Sequence, residues 1–143
     1  MEFWTRPFRS EDTDAVVALW ERCGLVRPWN DPRRDIARKQ TVQPDLFLVA
    51  GAVGTDAVVG AGMAGYDGHR GWVNYLAVQP ELQGSGLGRL MMAEFERRLT
   101  ALGCPKLNLQ VRAGNERVIG FYESLGYTDD DTVSLGKRLI PDA

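Results

Sequence analysis

Two hydrophobic rhythms run along the chain, and they predict its elements in order. Glu2–Phe8 alternates as a short first strand. Ser10 stands where an N-cap belongs, with Glu11 and Asp12 in the first turn, where negative charge suits the helix dipole. Ala15, Val16, Leu19 and Trp20 then fall at helical spacing until Cys23-Gly24. The break Arg27-Pro28-Trp29-Asn30-Asp31-Pro32 leads into a second, more polar helix to about Gln40, with Asp31 as cap and Pro32 in the first helical position. Leu46–Val53 and Ala57–Tyr66 read as strands joined at Gly54-Thr55-Asp56, and Asp67-Gly68 is a hairpin dipeptide before the strand Trp72–Gln79. A glycine-rich turn over Gln83–Gly88 opens a helix through Leu102, whose apolar stripe is Leu87, Leu90, Met91, Phe95 and Leu99. Lys106–Val111 is a further strand. Asn115 opens a last helix to Leu125, stopped by Gly126, and Tyr127 onward with Val133–Ile140 supplies the final strand material. This order predicts an α/β fold: one domain over residues 1–143, with a mixed central sheet of six to seven strands and helices on both faces.

Composition narrows the function classes. The 143 residues are 44% hydrophobic and 25% charged, ordinary usage for a chain with one core. Seventeen basic residues stand against nineteen acidic ones, so no basic footprint for nucleic acid exists. One histidine and two distant cysteines cannot supply the four ligands of a structural zinc site, and no metal is expected. Met1–Pro7 has no signal-peptide core. The longest apolar stretches fall far short of a membrane span, so a cytoplasmic protein without membrane partners is expected.

The strand-turn-helix Leu76–Leu90 carries the most chemistry. Three glycines in five residues, Gly84, Gly86 and Gly88, alternate at the mouth of a helix whose first free N–H groups favour an anion such as a pyrophosphate. A tight turn alone would need one glycine. Gly88 is followed by Arg89-Leu90 rather than Lys-Ser/Thr, which excludes a Walker A loop, and the spacing GxGxG is not the dinucleotide fingerprint GxGxxG.

Gln83-Gly84-Ser85-Gly86-Leu87-Gly88 resembles the Q/R-x-x-G-x-G/A motif of the GNAT acetyltransferases, and Leu76-Ala77-Val78 resembles the strand that leads into it. Asn115 through Tyr122-Glu123-Ser124-Leu125-Gly126-Tyr127 is similar to the family's second segment. The element order matches over nearly the whole chain, and the full sequence looks like the small stand-alone bacterial subgroup called YpeA-like. The resemblance implies direct acetyl transfer from acetyl-CoA to a primary amine of a small molecule or protein. It also implies a homodimer as one common assembly. It assigns the backbone N–H of Leu76 to the thioester oxygen, the backbone of Val78 to the pantetheine arm, and Tyr122 to protonating the departing sulfur. Cofactor contacts are implied for Leu76, Ala77, Val78, Gln83, Gly84, Ser85, Gly86, Leu87, Gly88, Arg89, Asn115 and Tyr122.

The base departs from known members. Some relatives carry glutamate on the strand before the loop, where this chain has Trp72-Val73-Asn74-Tyr75. Others carry it in the stretch Leu109–Arg112, where Gln110 stands. Asp67 and His69 on the hairpin are the remaining candidates, beside a reading in which water relays the proton. Trp29, Asn30 and Asp31 are expected to form one wall of the acceptor site, facing the hairpin. A non-catalytic acyl-CoA-binding or sensing module on the same fold is the alternative function. A toxin acetylating aminoacyl-tRNA would want a basic groove, which a net charge of −2 does not provide.

Overall fold

The structure, a computed structural model, describes residues 1–142. Five strands form one sheet in sequence order: β1 (Phe3–Pro7), β2 (Phe47–Ala52), β3 (Gly60–Tyr66), β4 (Gly71–Val78) and β5 (Leu107–Leu109). The first four pair antiparallel, and β5 alone lies parallel to its neighbour β4. Helices α1 (Thr13–Arg22) and α2 (Pro32–Lys39) belong to one face, α3 (Leu87–Ala101) and α4 (Glu116–Ser124) to the other.

Each face follows from the period-2 alternation of the strands. Phe47, Val49, Ala61, Met63 and Ala77 meet Val16, Val17, Leu19, Trp20 and Ile36. Leu48, Ala50, Val59, Ala64 and Val73 meet Leu87, Met91, Met92, Phe95 and Leu99. The run Gly60-Ala61-Gly62 lets α3 approach closely. A Cβ on Gly60 would stand 2.9 Å from Met91 Sδ, and one on Gly62 would stand 3.2 Å from the Phe95 ring.

Three expectations are corrected. Ser10 caps nothing: the chain enters α1 through a single 3-10 turn, where the Asp12 carboxylate takes the Arg9 N–H at 2.8 Å and pairs with Arg6. Asn115 precedes α4 but its side chain makes no capping bond. The sheet has five strands, not six to seven, because residues 128–142 form no ladder. The acidic run Asp129-Asp130-Asp131 turns there, Asp131 holding φ +54 with its N–H on Asp129. β5, the edge strand, is only three residues long and offers a further strand little to pair with. The segment is tied by side chains instead: Lys106 to Asp130, Gln110 to Ser134, Arg138 to Asn30, and Asp142 to Arg38 and Arg138.

Candidate active site

The site is built on β4, where the ladder with β3 loses register. Ala61 faces Ala77 and Met63 faces Asn74, so Gly62 alone opposes both Tyr75 and Leu76, and β4 carries the extra residue of a bulge. Tyr75 takes φ +57, an unusual conformation for an aromatic residue. Its carbonyl accepts the Trp20 indole N–H at 2.9 Å, and its ring stacks on Trp20 with centroids 4.1 Å apart. In a trans peptide the C=O and the following N–H point in opposite directions. With the Tyr75 carbonyl turned to α1, the Leu76 N–H points away from that helix.

The bulge also parts β4 from β5. Their pairing stops at Val73–Leu109, while β4 continues to Val78. Gln79 N–H bonds Val59 O just beyond the facing residues Gly60 and Val78, while Val59 N–H goes to Ala50 O of β2; Gly60 and Val78 are thus a non-hydrogen-bonded pair, and the Val78 N–H and C=O turn away from β3. The Val78 carbonyl indeed meets Gln83 Nε2 at 3.2 Å and Cys23 Sγ at 3.4 Å. A tapering gap thus opens beyond Val73, edged by backbone that no strand occupies.

At the wide end of β4 lies the glycine-rich turn. Gly84 and Gly86 have φ near +90 and open space where a side chain would stand. Among the described residues, the N–H groups of Gly84, Gly86, Leu87, Gly88 and Arg89 have no backbone acceptor, and Ser85 N–H is spent on Leu82. These orphan donors form an anion cradle. Gly88 has a different reason to be glycine. A Cβ there would lie 3.0 Å from Phe121 Cζ, so the absent side chain lets α4 pack on α3. Gln83 links the two: its Oε1 accepts Arg117 of α4 at 2.9 Å.

Tyr122 follows Phe121 on α4. Its ring is edge-on to Phe121 and Tyr127, and burial pushes its phenol up to about 12, so it holds its proton through the neutral range. No hydrogen-bond partner contributes to that shift. The helix ends in a Schellman turn at Gly126, with Tyr127 N–H on Tyr122 O, and Tyr127 OH on Glu96 ties the end to α3. Leu76, Val78 and Tyr122 pack against the same cluster on the α3–α4 face.

The other predicted residues divide. Trp29, Asn30 and Asp31 lie together as a wall beside the residues that follow β5 and the C-terminal segment. Arg112 sits 5.6 Å over the Trp29 ring, Asn30 Oδ1 accepts Arg138, and Asp31 N–H bonds Asp142. Asp31 also caps α2 through Arg33 N–H, as its position predicts. The hairpin does not face this wall. Tyr66 and Asp67 line a cavity of about 230 Å³ with Lys39, Val42 and Gln43, at the far end of α2. Eight helical residues, roughly 12 Å, separate the two places. Asp67 Oδ1 accepts the N–H groups of His69 and Arg70 at 2.8 and 2.7 Å, which holds its carboxyl below the usual range and gives it a turn role. His69 is exposed on that turn. Trp20, Tyr75, Asp35 and Arg112 were not singled out by pattern; Trp20 read only as core, and nothing local marks Tyr75 as a bulge residue.

Comparison with known proteins gives the arrangement its family. Residues 9–127 match the model of the "Acetyltransferase (GNAT) family". A curated acetyltransferase of Pectobacterium atrosepticum is 53% identical over 137 residues, covering 96% of each chain. Among solved structures, the NatC complex bound to a Gag peptide and CoA superposes with a TM-score of 0.74 at 20% identity, over 87% of this chain and 84% of that one. The ribosomal-protein-S18-alanine N-acetyltransferase of Escherichia coli gives 0.70 at 22%, over 87% and 77%. At those identities the structures share the fold, whereas the family match and the close relative carry the activity. With a bulged strand, a parted sheet and an orphan-amide cradle in place, the chain belongs to the GNAT acetyltransferase family and is an N-acetyltransferase that uses an acyl-CoA cosubstrate.

Proposed function

We propose that the enzyme transfers acetyl directly from acetyl-CoA to a primary amine, in the gap between β4 and β5. The observation that carries this reading is the conjunction, on one side of the bulge, of five acceptor-less amides, the unpaired edge at Val78 and a protonated Tyr122. In this reading Gly84 and Gly86–Arg89 hold the pyrophosphate, with Gln83 and Ser85 shaping the turn. Val78 pairs with the pantetheine arm, which displaces the Gln83 amide from its carbonyl. Ala77 fixes the register from the core side, and Asn115, exposed before α4, faces the arm.

The amine attacks the thioester carbonyl, and the developing oxyanion takes the Leu76 N–H. As the intermediate collapses, the C–S bond breaks and the sulfur takes the Tyr122 proton. The acceptor approaches along Trp29, Asn30 and Asp31. Asp67 and His69 stand apart from this path, and the amine loses its proton to water. Two unpaired cysteines on opposite faces of the sheet support a reducing compartment, and no described helix is long and apolar enough to cross a membrane. Cytoplasmic residence fits both.

The test is a screen of amines, polyamines, amino acids, aminoglycosides and peptides with acetyl-CoA, following free thiol. Acceptor-dependent thiol release with a matching mass gain of one acetyl group supports the reading. Thiol release without acetylated product, or none with any amine, refutes it.

A further inference from the structure

Resting on the acetyl-transfer reading, we propose that Tyr75 is a positioning residue, clamped at both ends to aim the Leu76 N–H at the thioester oxygen. A tyrosine at φ +57 persists only where its surroundings over-determine it. Here they do so from two helices. The fully buried Trp20 of α1 holds the Tyr75 carbonyl at 2.9 Å and stacks on its ring. Asp35 of α2 accepts the Tyr75 hydroxyl at 2.7 Å.

Asp35 is itself fixed. Its other oxygen takes Arg38 at 2.9 Å, and Arg38 is held by Asp142 at 2.6 Å. The carboxylate of Asp142 is almost fully buried and also takes Arg138 and the Asp31 N–H. A continuous chain of charge-assisted bonds therefore runs from the C-terminal segment to the bulge. It gives the phenol hydroxyl a single acceptor and so a single ring position. That ring position sets the peptide between Tyr75 and Leu76, and hence the direction of the Leu76 N–H. A plain structural role would need only the Trp20 stack; the hydroxyl anchor adds direction.

The test compares Tyr75→Phe, Asp35→Ala and the double variant, with Asp35→Asn as the conservative control. Tyr75→Phe keeps the stack and deletes the anchor. It is expected to lower kcat about tenfold, a fraction of the 10²–10³ lost with a whole oxyanion donor, while CoA affinity and acceptor KM stay within about twofold. Asp35→Ala should lose as much, the double variant no more than either single change, and Asp35→Asn should recover most of the rate because its amide oxygen still accepts the hydroxyl. Unchanged kcat in Tyr75→Phe, losses that multiply in the double variant, or a change confined to acceptor KM would overturn the proposal.

A second readout does not depend on turnover. The Leu76 amide resonance should shift on adding acetyl-CoA to the wild-type protein and shift less in Tyr75→Phe. Equal shifts in both would also overturn it. Wild-type protein that shifts this resonance but releases no thiol with any amine would sink the transfer reading and leave the clamp standing.

Discussion

Gly86 and Gly88 stand two residues apart in the same motif and should fail in different ways. Gly86 lies at φ +92 with nothing within 4 Å of where a methyl group would stand, so Gly86→Ala meets no clash but a forbidden backbone. The left-handed conformation costs an L-residue roughly 1–2 kcal/mol. The chain can relieve it only by turning, and that rotates the free amides from Gly86 to Arg89. Losing one charge-assisted bond to phosphate is worth about 1.5–3 kcal/mol, roughly a 10- to 100-fold loss of CoA affinity. Gly88 is helical, and Gly88→Ala gains about 1 kcal/mol of propensity. Its new Cβ meets Phe121 Cζ at 3.0 Å, about 0.5 Å inside the favourable carbon–carbon separation, so the ring and α4 must shift. Stability should change little, CoA affinity should hold, and kcat should fall because Tyr122 is the next residue on α4. Calorimetry with CoA, thermal melts and steady-state kinetics separate the two. The reasoning fails if Gly88→Ala loses CoA affinity while Gly86→Ala binds as the wild type does.

The remaining expectations concern the acid, the wall and the hairpin. Tyr122→Phe should lower kcat by about 10²–10⁴-fold at unchanged CoA affinity, which single-turnover thiol release would show. Because burial raises the Tyr122 phenol to about 12, its proton is lost only above that value, so kcat should show no alkaline fall through pH 10; a fall near pH 8–9 that Tyr122→Phe abolishes would contradict this. Trp29→Ala removes the ring under Arg112 and should raise acceptor KM several-fold with CoA affinity intact, measured with the best amine from the screen. Asp67→Ala should lower the melting temperature above pH 5 and leave kcat and its pH profile alone. Backbone bonds hold the Asp67 carboxyl below its ordinary value, so its stabilisation is present above about pH 4 and fades as pH falls; a shifted acidic limb in the kinetics would instead make Asp67 a base.

What the sequence discloses about this enzyme is what local chemistry writes. The Asp31 cap, the Gly86 turn and the Schellman stops at Gly24, Gly103 and Gly126 are each decided within a few residues, and all are found; of the α3 stripe Leu87, Met91, Phe95 and Leu99 are buried, whereas Leu90 is exposed and Met92 takes its place in the core. Gly88 shows the limit. Its place in the motif reads as room for phosphate, whereas the partner that requires it, Phe121, lies 33 residues on. The final strand fails for a related reason. Val133–Ile140 has strand-like content, but a strand needs an edge, and β5 offers three residues. Tyr75 has good strand propensity and no turn signal, so its left-handed backbone follows only from Trp20 and Asp35 arriving from other elements.

The proposed loss of the amine proton to water, with no enzyme base, rests on the same long-range wiring. The carboxylates along the proposed acceptor wall are engaged: Asp31 Oδ1 on the amides of α2, Asp35 on Tyr75 and Arg38, and Asp142 on Arg38, Arg138 and the Asp31 N–H. Each would have to break a charge-assisted bond before taking a proton, and the two arginines hold the Asp142 carboxyl well below the ordinary carboxylate range, which weakens it further as a base. Gln110, where some relatives carry glutamate, is spent on Ser134. An amine of ordinary basicity therefore enters as its cation and reacts only in its neutral fraction. The rate should climb tenfold per pH unit below the acceptor's own pKa, and the inflection should move with the acceptor. A set of amines of graded basicity decides this: an inflection that follows each amine supports proton loss to water, and one fixed pKa shared by all would require an enzyme base that this wall does not offer.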